Sequence, residues 1–267
     1  MVSTDFGRPS VTALLPTLNE RDNLGEFLRR LDRVVQATGT SPVDEVAVID
    51  GGSSDGTAEL VKNEAISSRP YRLRVINHHA QLGPVDAQLA ALDSVRSDFV
   101  VFLDGDLQHP VELLPHLTNA ASQGADVVLA SRYTEGGRNE WEPIRGVMSR
   151  VATFLAHTFV PPSRGIRDPL SGYFIARRNL LDGISSNGRT YKLLLYLLAV
   201  RRTEKLRIQE IPFVMARRRE GASKAMQGPV RFVTAYLREL TICWVSWGRR
   251  RRRTPVSKRA SGAESPS

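Results

Sequence analysis

Cysteine is almost missing from this 267-residue chain: Cys243 stands alone, which excludes an internal disulfide framework and a thiolate metal cage. A reducing, cytosolic setting is the matching expectation. Met1 to Ser10 lacks the apolar centre of a secretory signal, so none is expected. The apolar C-terminal stretch is broken by Arg238 and Glu239 and falls short of the ~20 residues that a membrane span needs. No Gly-x-Gly-x-x-Gly and no Gly-Lys-Ser/Thr phosphate loop occurs, which argues against a dehydrogenase or a kinase-like ATPase. Internal repeats, zinc spacings and a helix-turn-helix signature are also missing, and this weighs against nucleic acid as the partner.

What the chain has in excess is positive charge. A formal net charge of +9 points to a polyanion: nucleic acid, anionic lipid or a phosphorylated substrate. With 41% apolar residues, the chain is long enough to bury one large core or two small ones.

The stretch Phe99 to Leu103 is too apolar for an exposed segment and reads as a buried strand of a mainly parallel sheet. It stops at Asp104-Gly105-Asp106-Leu107-Gln108-His109-Pro110. Two carboxylates around a small glycine, with the Gln108 amide behind them, suit a hard divalent ion that keeps water and a diphosphate in its shell, Mg²⁺ or Mn²⁺. A surface turn with two solvated aspartates is the plainer reading of such a short pattern.

The rest of the first half repeats one theme. Val11 to Leu15, Val43 to Ile49, Tyr71 to Asn77 and Asp126 to Ala130 read as strands, with helical patterns between them. The first helix turns Leu24, Phe27, Leu28 and Leu31 inward, and Asn19 is its expected cap. Asp50-Gly51-Gly52-Ser53-Ser54-Asp55-Gly56-Thr57 ends the second strand; small residues there let backbone amides approach a phosphate or nucleoside. Such alternation predicts right-handed β-α-β units in a sheet covered on both faces. Later, Leu206 to Val214 reads as a returning strand and Tyr191 to Val200 as a core helix. Past Gly228, Val233, Tyr236, Leu237, Leu240 and Trp244 form an apolar stripe ending near Trp247, with Arg231, Arg238 and Glu239 off it and five arginines, Arg249 to Arg253, behind. The stripe suits a helix lying on an anionic membrane surface, or one packed on the domain or on an integral-membrane anchor protein.

Pro16-Thr17-Leu18-Asn19-Glu20, the Asp50 to Thr57 loop and Asp104 to Pro110, in that order and spacing, resemble the family 2 inverting glycosyltransferases with the GT-A fold. The second half is similar to their polyprenyl-phosphate sugar transferase branch, through Ser131-Arg132-Tyr133, Trp141, Arg145, Ser149-Arg150, Asp168-Pro169-Leu170-Ser171-Gly172, and Arg218 with Lys224. The resemblance implies one GT-A domain over residues 11–226, following a flexible 1–10. An amphipathic interfacial helix over 227–248 and a basic disordered tail over 249–267 complete the expected layout. It implies a nucleotide-sugar donor held by Pro16, Leu18, Glu20, Asp50, Asp104, Gly105, Asp106 and Gln108, with Arg218 and Lys224 on its diphosphate. The metal ligands would be Asp104, Asp106 and Gln108. The phosphate of a polyprenyl lipid would lie on Arg132, Arg145, Ser149 and Arg150, and Asp106, Arg132 and Arg145 would carry catalysis at the cytosolic face of a membrane. Mannose from GDP-mannose is the leading donor and UDP-glucose the alternative. Two positions depart from the family pattern: Gly51 stands where a second aspartate is usual, and Gln81 where a lysine is. Transfer to a saccharide hydroxyl would instead need a carboxylate base, for which Asp168 is the candidate.

Overall fold

The computed structural model describes residues 7–78, 83–139, 143–184, 192–201, 203–215 and 229–253. Its strands are β1 (Val11–Thr17), β2 (Glu45–Asp50), β3 (Arg72–Asn77), β4 (Phe99–Phe102), β5 (Val127–Ser131), β6 (Arg138–Asn139), β7 (Phe174–Arg177), β8 (Ile208–Pro212) and β9 (Val214–Met215). Its helices are α1 (Arg21–Thr38), α2 (Thr57–Glu64), α3 (Pro84–Ala91), α4 (Leu114–Ser122), α5 (Pro143–Phe159), α6 (Leu193–Val200) and α7 (Pro229–Arg253).

Seven strands form the central sheet in the order β3-β2-β1-β4-β7-β5-β8, parallel except for β7. Because both faces are covered, β1, β4 and β5 are apolar at nearly every position instead of alternating. One face packs on α1, α2 and α4 through Phe27, Leu31, Val61 and Leu114; the other packs on α3 and α6 through Ala87, Leu194 and Leu198. Leu24, Phe27, Leu28 and Leu31 are the buried face of α1, as their spacing predicts.

Strand β7 is not among the strands that the sequence reading predicts. It runs antiparallel between β4 and β5, and Phe174 stacks on its register partner Phe102 with ring centroids 4.8 Å apart. The returning strand expected over Leu206 to Val214 is two short strands, β8 on the main sheet and β9 paired with β6. At the start of the chain, where flexibility was expected to residue 10, Arg8 pairs with Asp44 at 2.7 Å and Ser10 binds Asp98.

Helix α7 continues through Arg253, five residues past its expected end and into the arginine run. Its predicted single stripe is two. Leu240 and Cys243 are buried against Ala156, Val160, Leu195 and Ala199, with Tyr236 and Trp247 packed on this cluster, whereas Val233, Leu237 and Trp244 are exposed. Glu239, expected off the stripe, is fully buried, since a step of about 100° per residue puts it beside Leu240 and Tyr236. Residues 254–267 lie outside the described residues.

Candidate active site

The carboxyl ends of β1, β2 and β4 lie side by side, with Thr17 registered on Asp50 and Leu14 on Phe102. This places the first three motifs in one crevice. Asp50 is buried; its Oδ2 accepts hydrogen bonds from the backbone N–H groups of Gly52 (3.1 Å) and Ser53 (3.0 Å), while its Oδ1 is buried with no partner. A buried carboxylate oxygen left unpaired is costly, and a ligand N–H or O–H would complete it. Gly51, beside it, donates its N–H to the Thr17 carbonyl at 2.9 Å. A β-carbon at Gly51 would lie 3.3 Å from that oxygen, so the second aspartate of the family pattern would crowd β1.

Asn19 is not the cap of α1. It sits at φ 55°, where its Oδ1 accepts the Ser54 N–H at 2.9 Å and its own N–H donates to Ser53 Oγ, tying the first motif to the second. Asp55 supplies the cap from across the crevice, accepting the Arg21 N–H at 2.9 Å on one oxygen and the Thr57 N–H at 3.0 Å on the other. One carboxylate therefore starts both α1 and α2. Pro16 lies within β1, Leu18 is an exposed apolar side chain, and the Glu20 carboxylate accepts a hydrogen bond from Asn23 Nδ2.

Gly105 lets the β4 loop touch β1: a β-carbon there would meet Thr17 Cγ2 at 3.1 Å and the Pro16 carbonyl at 3.3 Å. The next turn is strained. Leu107 has φ 60°, a left-handed conformation costing roughly 1–2 kcal/mol for a residue with a β-carbon. Asp106 Oδ1 closes the turn by accepting the Gln108 N–H at 3.1 Å, and the Gln108 side chain is buried. His109 fixes the far end: its Nδ1 accepts the Asp104 N–H at 3.0 Å and its ring stacks on Tyr173 at 5.0 Å. Burial pushes the His109 pKa down against the pull of Asp104 and Asp106, so the ring is neutral with its hydrogen on Nε2.

The Asp104 side chain is 52% exposed, and with no side chain at Gly172 the space beside its Oδ2 stays open. Among the described residues no three His, Cys, Asp or Glu side chains form a closed metal cage. Asp104 and Asp106 fit instead a hard cation that completes its shell with water and phosphate oxygens.

The other end of the crevice is built after β5. Arg132, predicted as a cation for the acceptor, is buried and held by Asp168: Nε donates to Oδ2 and Nη2 to Oδ1, both at 2.7 Å, and the Arg132 N–H adds a third bond at 3.0 Å. Only Nη1 is turned elsewhere, 4.0 Å from Met215 Sδ. Asp168 is fully buried, so it is the orienting partner of an arginine and unsuited to be a general base. Its own N–H and that of Arg167 donate to the Glu210 carboxylate on β8 at 3.1 and 2.8 Å. Tyr133 donates its hydroxyl to Ser149 Oγ at 2.7 Å, joining α5 to this end, and Arg150 is exposed. Trp141, the side chain of Arg145, and Gln81, Arg218 and Lys224 lie outside the described residues.

Against known protein families, residues 12–185 match the model for glycosyl transferase family 2. The chain belongs to this family. It is similar to the dolichol-phosphate mannosyltransferase of Pyrococcus furiosus, 34% identical over 231 residues covering 86% of this chain but 62% of that protein. The Mycosarcoma maydis dolichol-phosphate mannosyltransferase is 30% identical, covering 87% and 78%. The polyprenol monophosphomannose synthase of Mycolicibacterium smegmatis is also 30% identical, covering 90% and 87%. The fold is shared with mannosyl-3-phosphoglycerate synthase from Rubrobacter xylanophilus, at a TM-score of 0.66, 20% identity and coverage of 93% and 78%. It is also shared with glucosyl-3-phosphoglycerate synthase from Mycobacterium tuberculosis, solved with Mn²⁺, UDP-glucose and phosphoglyceric acid, at 0.63, 20%, and coverage of 88% and 80%.

Two residues that shape the loops at these strand ends escape sequence reasoning. His109 lies inside a quoted motif, but its bond to Asp104 depends on the loop's curl. Glu210 works through backbone N–H groups of the loop before β7, which leaves no pattern.

Proposed function

We propose that this glycosyltransferase moves mannose from GDP-mannose to a polyprenyl phosphate, with inversion, at the cytosolic surface of a membrane. The observation that carries the reading is the Arg132–Asp168 clamp. Asp168, the carboxylate that the sequence offers as a base, has both oxygens committed to a guanidinium. A saccharide hydroxyl would need a base there; a phosphate arrives already ionised and needs only cations. The names of the curated relatives point to the same acceptor and to mannose.

In the proposed reaction an acceptor phosphate oxygen attacks the anomeric carbon in line, and the bond from that carbon to the diphosphate oxygen breaks with its electron pair leaving on the nucleoside diphosphate. The unpaired Asp50 oxygen receives a donor N–H or O–H from the nucleoside. Asp104, Asp106 and Gln108 would hold Mg²⁺ or Mn²⁺, which supplies charge neutralisation for the diphosphate when bound. Arg132, with its orientation fixed by Asp168, would lend its charge to the acceptor phosphate, joined by Ser149 and Arg145.

No helix among the described residues is long and apolar enough to cross a membrane. What supports a peripheral position is the exposed apolar surface of α5, at Val147, Val151 and Phe154, and of its neighbour α7, at Val233, Leu237 and Trp244. Helix α5 is joined to Tyr133 through Ser149, and α7, packed on α5, finishes in arginines that suit anionic headgroups.

The test is transfer of radiolabelled sugar into organic-extractable lipid, with GDP-mannose and UDP-glucose in parallel, with and without EDTA. Label from GDP-mannose that EDTA abolishes and Asp106→Asn reduces by about 10²-fold or more is the expected result. Label from UDP-glucose alone would replace the donor, and no lipid label with nucleotide-sugar binding intact would overturn the acceptor.

A further inference from the structure

His109 is buried beneath the loop that carries Asp104 and Asp106. Its Nδ1 accepts the N–H of Asp104, five residues back along the chain, at 3.0 Å. The same nitrogen lies 3.9 Å from Asp104 Oδ2. A ring nitrogen that accepts a backbone N–H carries no hydrogen of its own, so it has nothing to donate to that carboxylate. The bond therefore fixes the Asp104 backbone while the 52%-exposed side chain receives no donor from the ring.

The ring is itself held by a shelf from another part of the chain. Tyr173, fully buried, stacks on it with centroids 5.0 Å apart and planes 24° apart, and Phe213 meets it edge-on at 6.3 Å. The Tyr173 hydroxyl donates to the Pro110 carbonyl at 3.1 Å, so one side chain holds the end of the loop at two adjacent residues. Tyr173 has little slack. Its carbonyl accepts the Ala130 N–H at 2.9 Å, and its N–H donates at 3.2 Å to Ser171 Oγ, which donates in turn to the Ala130 carbonyl at 2.7 Å. Gly172 brings its backbone against the ring, since a β-carbon there would lie 3.6 Å from His109 Cε1 and 4.0 Å from Asp104 Oδ2. Leu107, between the loop's two ends, has φ 60°, and a strained turn keeps its shape only where its surroundings over-determine it. Here those surroundings are β5 and the residues that lead into β7, acting through His109.

We propose that His109 is a positioning residue for the divalent ion: it sets the affinity of Asp104 for that ion through the backbone, without touching the ion itself. The assignment rests on the metal reading of Asp104 and Asp106 and deepens it. A carboxylate ligand binds more tightly when outer groups have already set its direction, because less of the binding free energy is spent on ordering the loop. What the position requires is an acceptor. An apolar side chain on the Tyr173 shelf could fill the space, but it would leave the Asp104 N–H without a partner and the first residue of the loop free to turn. Asparagine carries its Oδ1 at the place of the imidazole Nδ1 and can accept the same bond.

The test compares wild type, His109→Leu and His109→Asn. Binding of Mn²⁺ to the full chain is titrated by electron paramagnetic resonance of the free ion, with GDP and with UDP in parallel. Expected for His109→Leu is Mn²⁺ affinity lowered by about tenfold or more, the scale on which partners outside the ligand shell act. His109→Asn should recover most of that loss, which a role in packing alone does not predict. Thermal unfolding checks that each variant is folded; His109→Phe replaces the leucine variant if that one is not, with the same expected loss. Equal Mn²⁺ affinity in wild type and the variant without an acceptor overturns the assignment of His109 alone. An equal loss in the leucine and asparagine variants also overturns it, since the ring's packing and not its acceptor would then be what matters. A wild-type protein that binds Mn²⁺ with neither nucleotide overturns the metal reading of the loop, and this assignment with it.

Discussion

Asp168 and Arg132 are each intelligible only through the other. Neither charge could be buried alone, and three hydrogen bonds make the pair tolerable. Asp168→Ala strands a buried guanidinium and should lower stability by about 3–5 kcal/mol by chemical denaturation, with transfer lost. Replacing both partners, as Arg132→Met with Asp168→Leu, should restore much of the stability while the enzyme stays inactive; an active double variant would remove Arg132 from the acceptor site. The sequence shows both residues but not their pairing, because they are far apart in the chain and meet only when the loop before β7 folds under β5. Asn19 is a similar case. A residue suited to capping was visible, but a backbone at φ 55° turned it toward Ser54 and left the capping to Asp55.

That substitution matters for the elements it joins. Asp55 holds the first turns of α1 and α2, and although burial alone would raise its pKa, the hydrogen bonds from Thr57 Oγ1 and the Arg21 and Thr57 N–H groups lower it. A depressed carboxylate contributes stability that is fully present above its unfolded value, near 3.8, and lost as pH falls through its folded value. Asp55→Ala should therefore cost about 1–2 kcal/mol at neutral pH, and its unfolding midpoint should approach that of wild type in acid below pH 3.8. A pH-independent difference would mean that packing, not the charge, is lost. Strands and helices with strong periodicity were legible, in α1 down to the buried face of Leu24, Phe27, Leu28 and Leu31. Strand β7 was not, since four residues, Phe174 to Arg177, adjoin a loop motif that draws attention to the loop. The splitting of the α7 stripe was equally hidden, because an apolar face does not say how much of it a neighbouring helix will cover.

At the scale of the whole molecule, the covered part of α7 and its exposed part do different work. Leu240 and Cys243 attach the helix to α5 and α6, and Leu237 and Trp244 remain outside. The chain should sediment with vesicles containing anionic lipid. Leu237→Ser with Trp244→Ser should weaken that association by about tenfold, through loss of apolar insertion, without altering the melting temperature. Raising the salt concentration should weaken it further through the arginines at the helix end. Vesicle binding unchanged by the double variant would leave these faces to a protein partner. The proposed donor half of the site was readable from its loops, which follow one another along parallel strands; the proposed acceptor half was readable as residue types only, since it is assembled from β5, α5 and the loop before β7. Strand β7 connects the two halves in a way that bears on how such enzymes diversify. Everything between β5 and β7 leaves the sheet at Ser131 and returns at Phe174, and the returning strand is hydrogen-bonded on one side to β4 and on the other to β5. The excursion is thus fastened at both ends to the strands assigned above to the proposed donor and acceptor sites. Lengthening, shortening or grafting it from a relative would leave its entry and exit in register, so on that proposal a new acceptor could be acquired while the loops on β1, β2 and β4 are inherited intact.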